Sequence, residues 1–120
     1  MQNDSFLINI DLTPEYQRNL KHLAKKYRNI RSDTQSFITE LQKGNLLGDR
    51  LTGFNEDVYI YKARVKNSNL QKGKSGGYRV IYLLESETSI LLLTIYSKSE
   101  QEDISDYEIN SILEEFYRDE

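Results

Sequence analysis

The cations of this chain are concentrated between residues 58 and 84. This segment contains six Lys and Arg residues and no Asp or Glu, although the whole chain has a net charge of −3. Ammonium and guanidinium groups bind phosphate, and a guanidinium can donate two parallel hydrogen bonds to it. We therefore expect a cationic face that binds nucleic acid, with a solvated strand edge that resists aggregation as the alternative. The six cations are Lys62, Arg64, Lys66, Lys72, Lys74 and Arg79.

The C-terminal segment has the opposite charge. From Glu100 to Glu120 there are nine acidic residues and a single cation, Arg118. Their spacing does not match that of a metal site, so we interpret the segment as a solvated helix and predict neither a metal nor a cofactor. A second interpretation is that these acids imitate a polyanion and shield the cationic segment before a substrate arrives.

Three strands are predicted in the second half of the chain. The first of them alternates strictly, and successive side chains of a strand point to opposite faces, so Lys62, Arg64 and Lys66 share one face. Two further strands follow, separated by a turn, and the three together form a meander. The strands span residues 58–66, 77–84 and 89–97.

A short strand and two helices are predicted in the first half. Residues 5–11 alternate as a strand does, and Thr13, followed by a proline, is typical of a helix N-cap. A second helix is predicted to begin with a capping box at Ser32 and Gln35 and to end at Gly44. Because the connection between them is short, the two helices should form an antiparallel hairpin.

The order of elements predicts a fold class. A last helix follows a capping box formed by Ser105 and Glu108. The order β-α-α-β-β-β-α predicts a single α+β domain over residues 1–120, in which the helices pack on one face of an antiparallel sheet. The other face is expected to be open and to carry the cations of the first meander strand.

The composition limits the remaining classes of function. The chain contains no Cys, which excludes disulfides, thiolate metal sites and Cys nucleophiles. Its N-terminus lacks the basic start and long apolar stretch of a signal peptide, and no apolar run approaches the roughly 20 residues that span a bilayer. We therefore predict a cytoplasmic protein without membrane contact.

Three stretches of the second half resemble a known family of toxins. They are YKAR from Tyr61, KGKSGGYRVIYLL from Lys72 and LLLTIYSKSE from Leu91. The resemblance is to the RelE/ParE superfamily and, within it, to the HigB-like branch. It implies a small RelE-like toxin that is neutralised by a cognate antitoxin, for which a helix-turn-helix type is expected. It also implies an endoribonuclease that cleaves messenger RNA without a metal, usually on the ribosome, and so inhibits translation.

The resemblance further implies roles for individual residues. Lys62 and Arg64 match the cations that face the scissile phosphate, and Arg79 matches the arginine that clamps it; these three are the expected catalytic residues. Lys72 and Lys74 match the basic loop of the HigB-like branch. The expected RNA-binding residues are Lys66, Lys72, Lys74, Tyr78, Tyr96 and Lys98.

A metal-free ribonuclease can use the 2′-OH of its substrate as the nucleophile. The protein must then remove that proton, stabilise the charged phosphorane and protonate the leaving 5′ oxygen. Lys62 is the candidate base, since neighbouring like charges favour its neutral form. Tyr78, Tyr82 or Tyr96 can add a polar contact or stack on a base, whereas Tyr59 and Tyr61 are expected to pack inside the protein. No residue is assigned as the acid.

Two positions depart from the pattern of RelE proper, which has an arginine and a tyrosine where this chain has Ser99 and Ser105. HigB-like members often lack both residues, so the departure is compatible with activity. Two alternatives stay open. One is a ParE-like toxin that poisons gyrase without cleaving RNA, and the other is an inactive homologue that binds the antitoxin and regulates its operon.

Overall fold

The chain forms three helices and one five-stranded sheet in the computed structural model, which describes residues 7–70 and 76–118. The elements are β1 (Asn9–Leu12), α1 (Pro14–Ala24), α2 (Ile30–Gln42), β2 (Asp49–Arg50), β3 (Ile60–Val65), β4 (Tyr78–Ser86), β5 (Ser89–Ser97) and α3 (Asp106–Arg118). The predicted α+β class is confirmed. The predicted order differs only by β2, a two-residue strand between the second helix and the first strand of the predicted meander.

The sheet is mixed. Its strands lie in the order β1-β5-β4-β3-β2, in which β2 to β5 pair antiparallel and β1 pairs parallel to β5. The prediction of a fully antiparallel sheet is therefore wrong at this edge. A tight turn holds β4 and β5 antiparallel, whereas two helices follow β1, so no local connection sets its direction.

The signals at the start of α1 are confirmed. Thr13 is extended at the N-cap, and its Oγ1 accepts a hydrogen bond from the backbone N–H of Tyr16 at 2.9 Å. Pro14 is the first helical residue, where its missing N–H leaves no helical hydrogen bond unmade. The Thr13 hydroxyl also donates to the carbonyl of Leu93 at 2.7 Å, which ties the helix start to β5.

The start of α2 differs from its prediction. The helix begins at Ile30, and the Ser32 hydroxyl donates to the Asn29 carbonyl at 3.0 Å instead of capping a helix. The capping box of Ser32 and Gln35 is therefore wrong. Ile30 is fully buried in the core, and the burial of its side chain outweighs the local capping signal. The predicted end is confirmed, since Gly44 follows the last residues of the helix with φ +93°.

Both N-terminal helices pack on one face of the sheet around Tyr82. The Tyr82 ring stacks on Tyr61 with centroids 5.3 Å apart, and it meets Phe37 of α2 edge-on at 6.0 Å. The packing role predicted for Tyr61 is confirmed. The same prediction for Tyr59 is wrong, because Tyr59 precedes β3, is 42% exposed and has the Arg50 guanidinium 4.0 Å from its ring centroid.

The third helix packs on the opposite face, so the prediction that all helices share one face is wrong. Ile109 of α3 is buried in a second apolar cluster with Ile60 and Ile81 of the sheet. Since α1 and α2 already cover the first face, the apolar stripe of α3 can be buried only on the second. Its predicted cap is formed: the Ser105 hydroxyl accepts from the backbone N–H of Glu108 at 3.1 Å.

A glycine fixes the entry into β4. Gly77 has φ +86°, in the left-handed region that favours glycine. A Cβ atom at this position would lie 2.8 Å from the carbonyl oxygen of Val65, the last residue of β3. Gly77 therefore allows β3 and β4 to stay paired up to the point where Arg79 enters the sheet.

Candidate nucleic-acid interface

Two arginines lie directly opposite each other on the second face of the sheet. In the register of β3 and β4, Arg64 pairs with Arg79, and in the register of β4 and β5, Arg79 pairs with Tyr96. Lys62 lies on the same face two residue pairs along, opposite Ile81. The apolar cluster under α3 meets β3 at Ile60, so these polar side chains lie beyond the part of the face that α3 covers.

The opposed arginines are electrostatically unfavourable in the protein alone. Like charges directly across an antiparallel pair destabilise it. Arg64 is exposed, whereas Arg79 is only 9% exposed, and its Nη1 donates to the carbonyls of Gly76 and Tyr78 at 3.3 Å each. These hydrogen bonds orient Arg79 without neutralising its charge. An anion placed between the two guanidinium groups would neutralise both.

An acidic residue that the sequence analysis missed joins this group. Asp103, in the segment between β5 and α3, accepts at Oδ1 from Lys62 Nζ at 3.0 Å and from the Tyr96 hydroxyl at 3.5 Å. The backbone N–H of Ile104 donates to the same oxygen at 2.8 Å. The pKa of Asp103 is lowered, first by the Ile104 N–H and then by Lys62. Lys62 and Asp103 are 41 positions apart in the sequence, and although the acidic segment was considered as a shield for the cations, no local pattern indicated which of its acids would meet Lys62.

Tyr96 contributes its hydroxyl to this surface but not the face of its ring. The residue is 5% exposed, so its ring is not available for stacking on a base. Burial, followed by the negative charge of Asp103, raises the pKa of Tyr96 to about 12, while the positive charge of Arg79 opposes this shift. The hydroxyl therefore stays protonated near neutral pH and can donate a hydrogen bond.

The other residues expected to contact RNA divide into three groups. Lys66, just past the end of β3, is exposed, and Lys98, just past β5, donates to the Glu102 carbonyl at 3.1 Å. Tyr78, which packs against Tyr27, and Tyr82 are both fully buried on the opposite face, which excludes them from this surface. Lys72 and Lys74 lie outside the residues that the structure describes.

Neither a membrane helix nor a metal cluster is found in the described part of the chain. Among residues 7–70 and 76–118, no helix is long and apolar enough to cross a bilayer. Within the same ranges, no three His, Cys, Asp or Glu residues come together as a set that could hold a metal ion.

The fold and this surface define a small α+β protein with a cationic sheet face. A family model described as the RelE toxin of the RelE/RelB toxin–antitoxin system matches residues 16–115. Because the match covers most of the chain, the protein belongs to the RelE toxin family, as the resemblance predicted. Membership of this family implies an antitoxin partner.

A solved structure supports the same fold. The chain is similar to a double arginine-to-alanine mutant of the E. coli toxin RelE in its free state, with a TM-score of 0.54 and 14% sequence identity. The match covers 88% of this chain and 92% of the E. coli chain. No curated protein matches this chain closely enough to count as a relative. At this identity the comparison establishes the fold and leaves the activity to be argued from the site.

Proposed function

We propose that this protein is a metal-independent endoribonuclease of the HigB-like branch, which cleaves messenger RNA on the ribosome and so inhibits translation. The observation that carries the proposal is the direct cross-strand opposition of Arg64 and Arg79 on the sheet face that also carries α3, with Lys62 on the same face. Two arginines at opposed strand positions repel each other, and a phosphate bound by both would offset that repulsion.

The proposed reaction uses the ribose 2′-OH of the substrate as the nucleophile. The 2′ oxygen attacks the adjacent phosphorus, the bond from phosphorus to the 5′ oxygen breaks, and the products are a 2′,3′-cyclic phosphate and a 5′-OH. The proton lost by the 2′-OH is balanced by the proton that the 5′ oxygen gains. Arg64 and Arg79 stabilise the extra negative charge on the phosphorane oxygens.

Lys62 is the proton-transfer residue in this proposal. The sequence argument made it a base because of neighbouring cations, but its Nζ donates a hydrogen bond to the Asp103 carboxylate at 3.0 Å. An ammonium in that pairing has N–H groups left to donate. We therefore assign Lys62 to the protonation of the leaving 5′ oxygen, with the Tyr96 hydroxyl as a second donor near the phosphate.

The remaining cations bind the RNA or the ribosome outside the reacting phosphate. Lys66 and Lys98 flank the site at the ends of β3 and β5, and Lys72 and Lys74 precede β4 in the sequence. Each can contact a backbone phosphate and contribute a salt-dependent increment of affinity. We further propose a cytoplasmic location and an antitoxin of the helix-turn-helix type encoded beside the toxin.

The test compares cleavage by the purified protein and its variants in the presence of EDTA. Arg79→Ala, Arg64→Ala and Lys62→Ala should each lower the cleavage rate of ribosome-bound messenger RNA by about 10²-fold or more, as the loss of a charge-stabilising donor does. Lys21→Ala is the matched control, because it removes an exposed cation of α1 on the other side of the sheet. It should cleave at the rate of the parent protein.

The same comparison in growing cells separates the alternatives. Growth arrest that persists in the triple variant would contradict the proposed site. Intact messenger RNA together with DNA damage would identify a ParE-like gyrase poison, and the absence of any growth effect with retained antitoxin binding would identify an inactive regulator. The nuclease proposal requires cyclic-phosphate ends in the cleaved messenger RNA and their loss in Arg79→Ala.

A further inference from the structure

Asp103 places a negative charge inside a surface that otherwise binds anions. Its carboxylate lies 3.0 Å from Lys62 Nζ and 3.5 Å from the Tyr96 hydroxyl, and Tyr96 is the cross-strand neighbour of Arg79. A carboxylate at this position repels a phosphate and lowers the affinity of the surface for RNA. Substrate binding therefore does not explain why Asp103 lies in this surface.

Stability does not supply that reason. The Asp103 side chain is 63% exposed in its ion pair with Lys62, and exposed ion pairs contribute little to the free energy of unfolding. The Lys26–Glu100 pair shows the ordinary surface case, with a longer distance of 3.4 Å and a lysine side chain that is 59% exposed. The Lys62 side chain is only 32% exposed, so its ammonium is held in a defined position against the sheet.

Asp103 is held in place at its carboxylate and at its backbone carbonyl. The backbone N–H of Ile104 donates to Asp103 Oδ1 at 2.8 Å, and the Gln101 side chain donates to the Asp103 carbonyl at 3.0 Å. Ile104 packs against the apolar cluster under α3, which anchors the segment to the sheet. Oδ1 is thus a backbone-anchored acceptor for both Lys62 Nζ and the Tyr96 hydroxyl.

We propose that Asp103 is a positioning residue that holds the Lys62 ammonium and the Tyr96 hydroxyl beside Arg79, so that a bound phosphate meets both donors already oriented. This inference rests on the proposed nuclease function, which it deepens. A lysine side chain loses rotamer entropy when it is fixed, and an ion pair formed before the substrate arrives removes that cost from the reaction.

The test uses Asp103→Asn, which keeps the shape of the side chain and an acceptor for the Ile104 N–H but removes the charge. Glu114→Gln is the control, since it removes the same charge from an exposed position of α3. For Asp103→Asn we expect kcat to fall tenfold or more while KM for RNA also falls, because donor orientation is lost and phosphate repulsion is relieved. The control should change neither constant.

A second readout does not depend on cleavage. The ring ¹³C signal of Tyr96, assigned by its loss in Tyr96→Phe, reports the titration of its hydroxyl. Removing the Asp103 charge should move that titration to lower pH, since the carboxylate favours the protonated hydroxyl while Arg79 favours the ionised form. Asp103→Asn should also bind a 2′-O-methyl RNA, which lacks the nucleophile, more tightly at low salt. Glu114→Gln should alter neither result.

Each contrary result has a defined meaning. A lower KM with an unchanged or higher kcat would make Asp103 a shield of the cationic surface and overturn the positioning role. An unchanged Tyr96 titration would show that Asp103 does not act on that hydroxyl and would also overturn it. If the parent protein cleaves no RNA, the nuclease proposal fails on its own, and the titration still decides whether Asp103 acts on Tyr96.

Discussion

The two faces of the sheet differ in how far contacts within the protein stabilise their side chains. On the face under α1 and α2, the ring of Tyr82 is enclosed by Tyr61 and Phe37, and its hydroxyl donates to the carbonyl of Leu47. On the other face, Arg64 and Arg79 are direct cross-strand partners in β3 and β4. The first arrangement stabilises the fold, whereas like charges at opposed positions lower stability, and the proposed phosphate would offset that cost.

The difference between the faces predicts which substitutions unfold the protein. Replacing Tyr82 by Ala removes a fully buried ring and should lower the free energy of unfolding by about 3–5 kcal/mol. Urea denaturation followed by circular dichroism measures this loss. Tyr82→Phe keeps the ring and loses only the hydrogen bond, so its loss should be about 0.5–1.5 kcal/mol. Equal losses for the two variants would contradict the packing role of the ring.

Substitution of Gly77 tests the backbone conformation at the start of β4. Gly77→Ala puts a Cβ atom against the Val65 carbonyl at a positive φ, which should lower the free energy of unfolding by about 1–3 kcal/mol. Gly44→Ala is the matched control, because Gly44 also has a positive φ but its Cβ would meet nothing within 4 Å. The control should lose less. A thermal melt of both variants separates backbone strain from the steric clash.

Sulfate binding tests whether the face that carries Arg64 and Arg79 holds an anion. A sulfate that occupies the position between Arg64 and Arg79 should raise the free energy of unfolding by about 1 kcal/mol at several times its Kd. Sulfate also stabilises proteins in general by exclusion from their surfaces. The Arg64→Ala, Arg79→Ala double variant should retain only that general part, while Lys21→Ala should respond as the parent does. Identical responses in all three proteins would refute an anion site.

The arginine pair itself should cost stability when no anion is present. Arg64→Ala removes one of two like charges that face each other, so we expect it to raise the free energy of unfolding by about 0.2–1 kcal/mol in low salt. The gain should disappear at high salt, where the repulsion is screened. Urea titrations at two ionic strengths measure both values. A loss of stability in low salt would mean that packing of the aliphatic part of Arg64 stabilises the fold by more than the repulsion from Arg79 destabilises it.

The smallest expected effect concerns the pH dependence of Asp103. Its pKa is lowered in the folded protein by the Ile104 N–H and by Lys62, so any stabilisation from its carboxylate is present above the unfolded value of about 3.9. That stabilisation is lost as the pH falls through the lower folded value. The difference in free energy of unfolding between the parent and Asp103→Asn should therefore shrink below about pH 4. A difference that grows in acid would mean that folding raises the pKa of Asp103, contrary to the expected lowering.

The local sequence determined most of the elements of this protein. Alternation placed Lys62 and Arg64 on one face of β3, the cap at Thr13 fixed the start of α1, and the cap at Ser105 fixed that of α3. These features depend on residues a few positions apart, whose spacing matches the period of a strand or a helix. The resemblance to a toxin family added the fold and the partner class, which periodicity alone cannot supply.

Only the tertiary structure decided how these elements meet. Nothing local sets the parallel direction of β1 or sends α3 to the second face; both follow from which surfaces are already covered. Burial excluded Tyr78 from the site, and it left Tyr96 with a hydroxyl but no free ring face. Asp103 reached Lys62 across 41 residues of sequence. Contacts between distant residues arise from packing of the whole domain. The local sequence pattern therefore did not indicate that Asp103 contacts Lys62, and this contact is what changes the proposed role of Lys62.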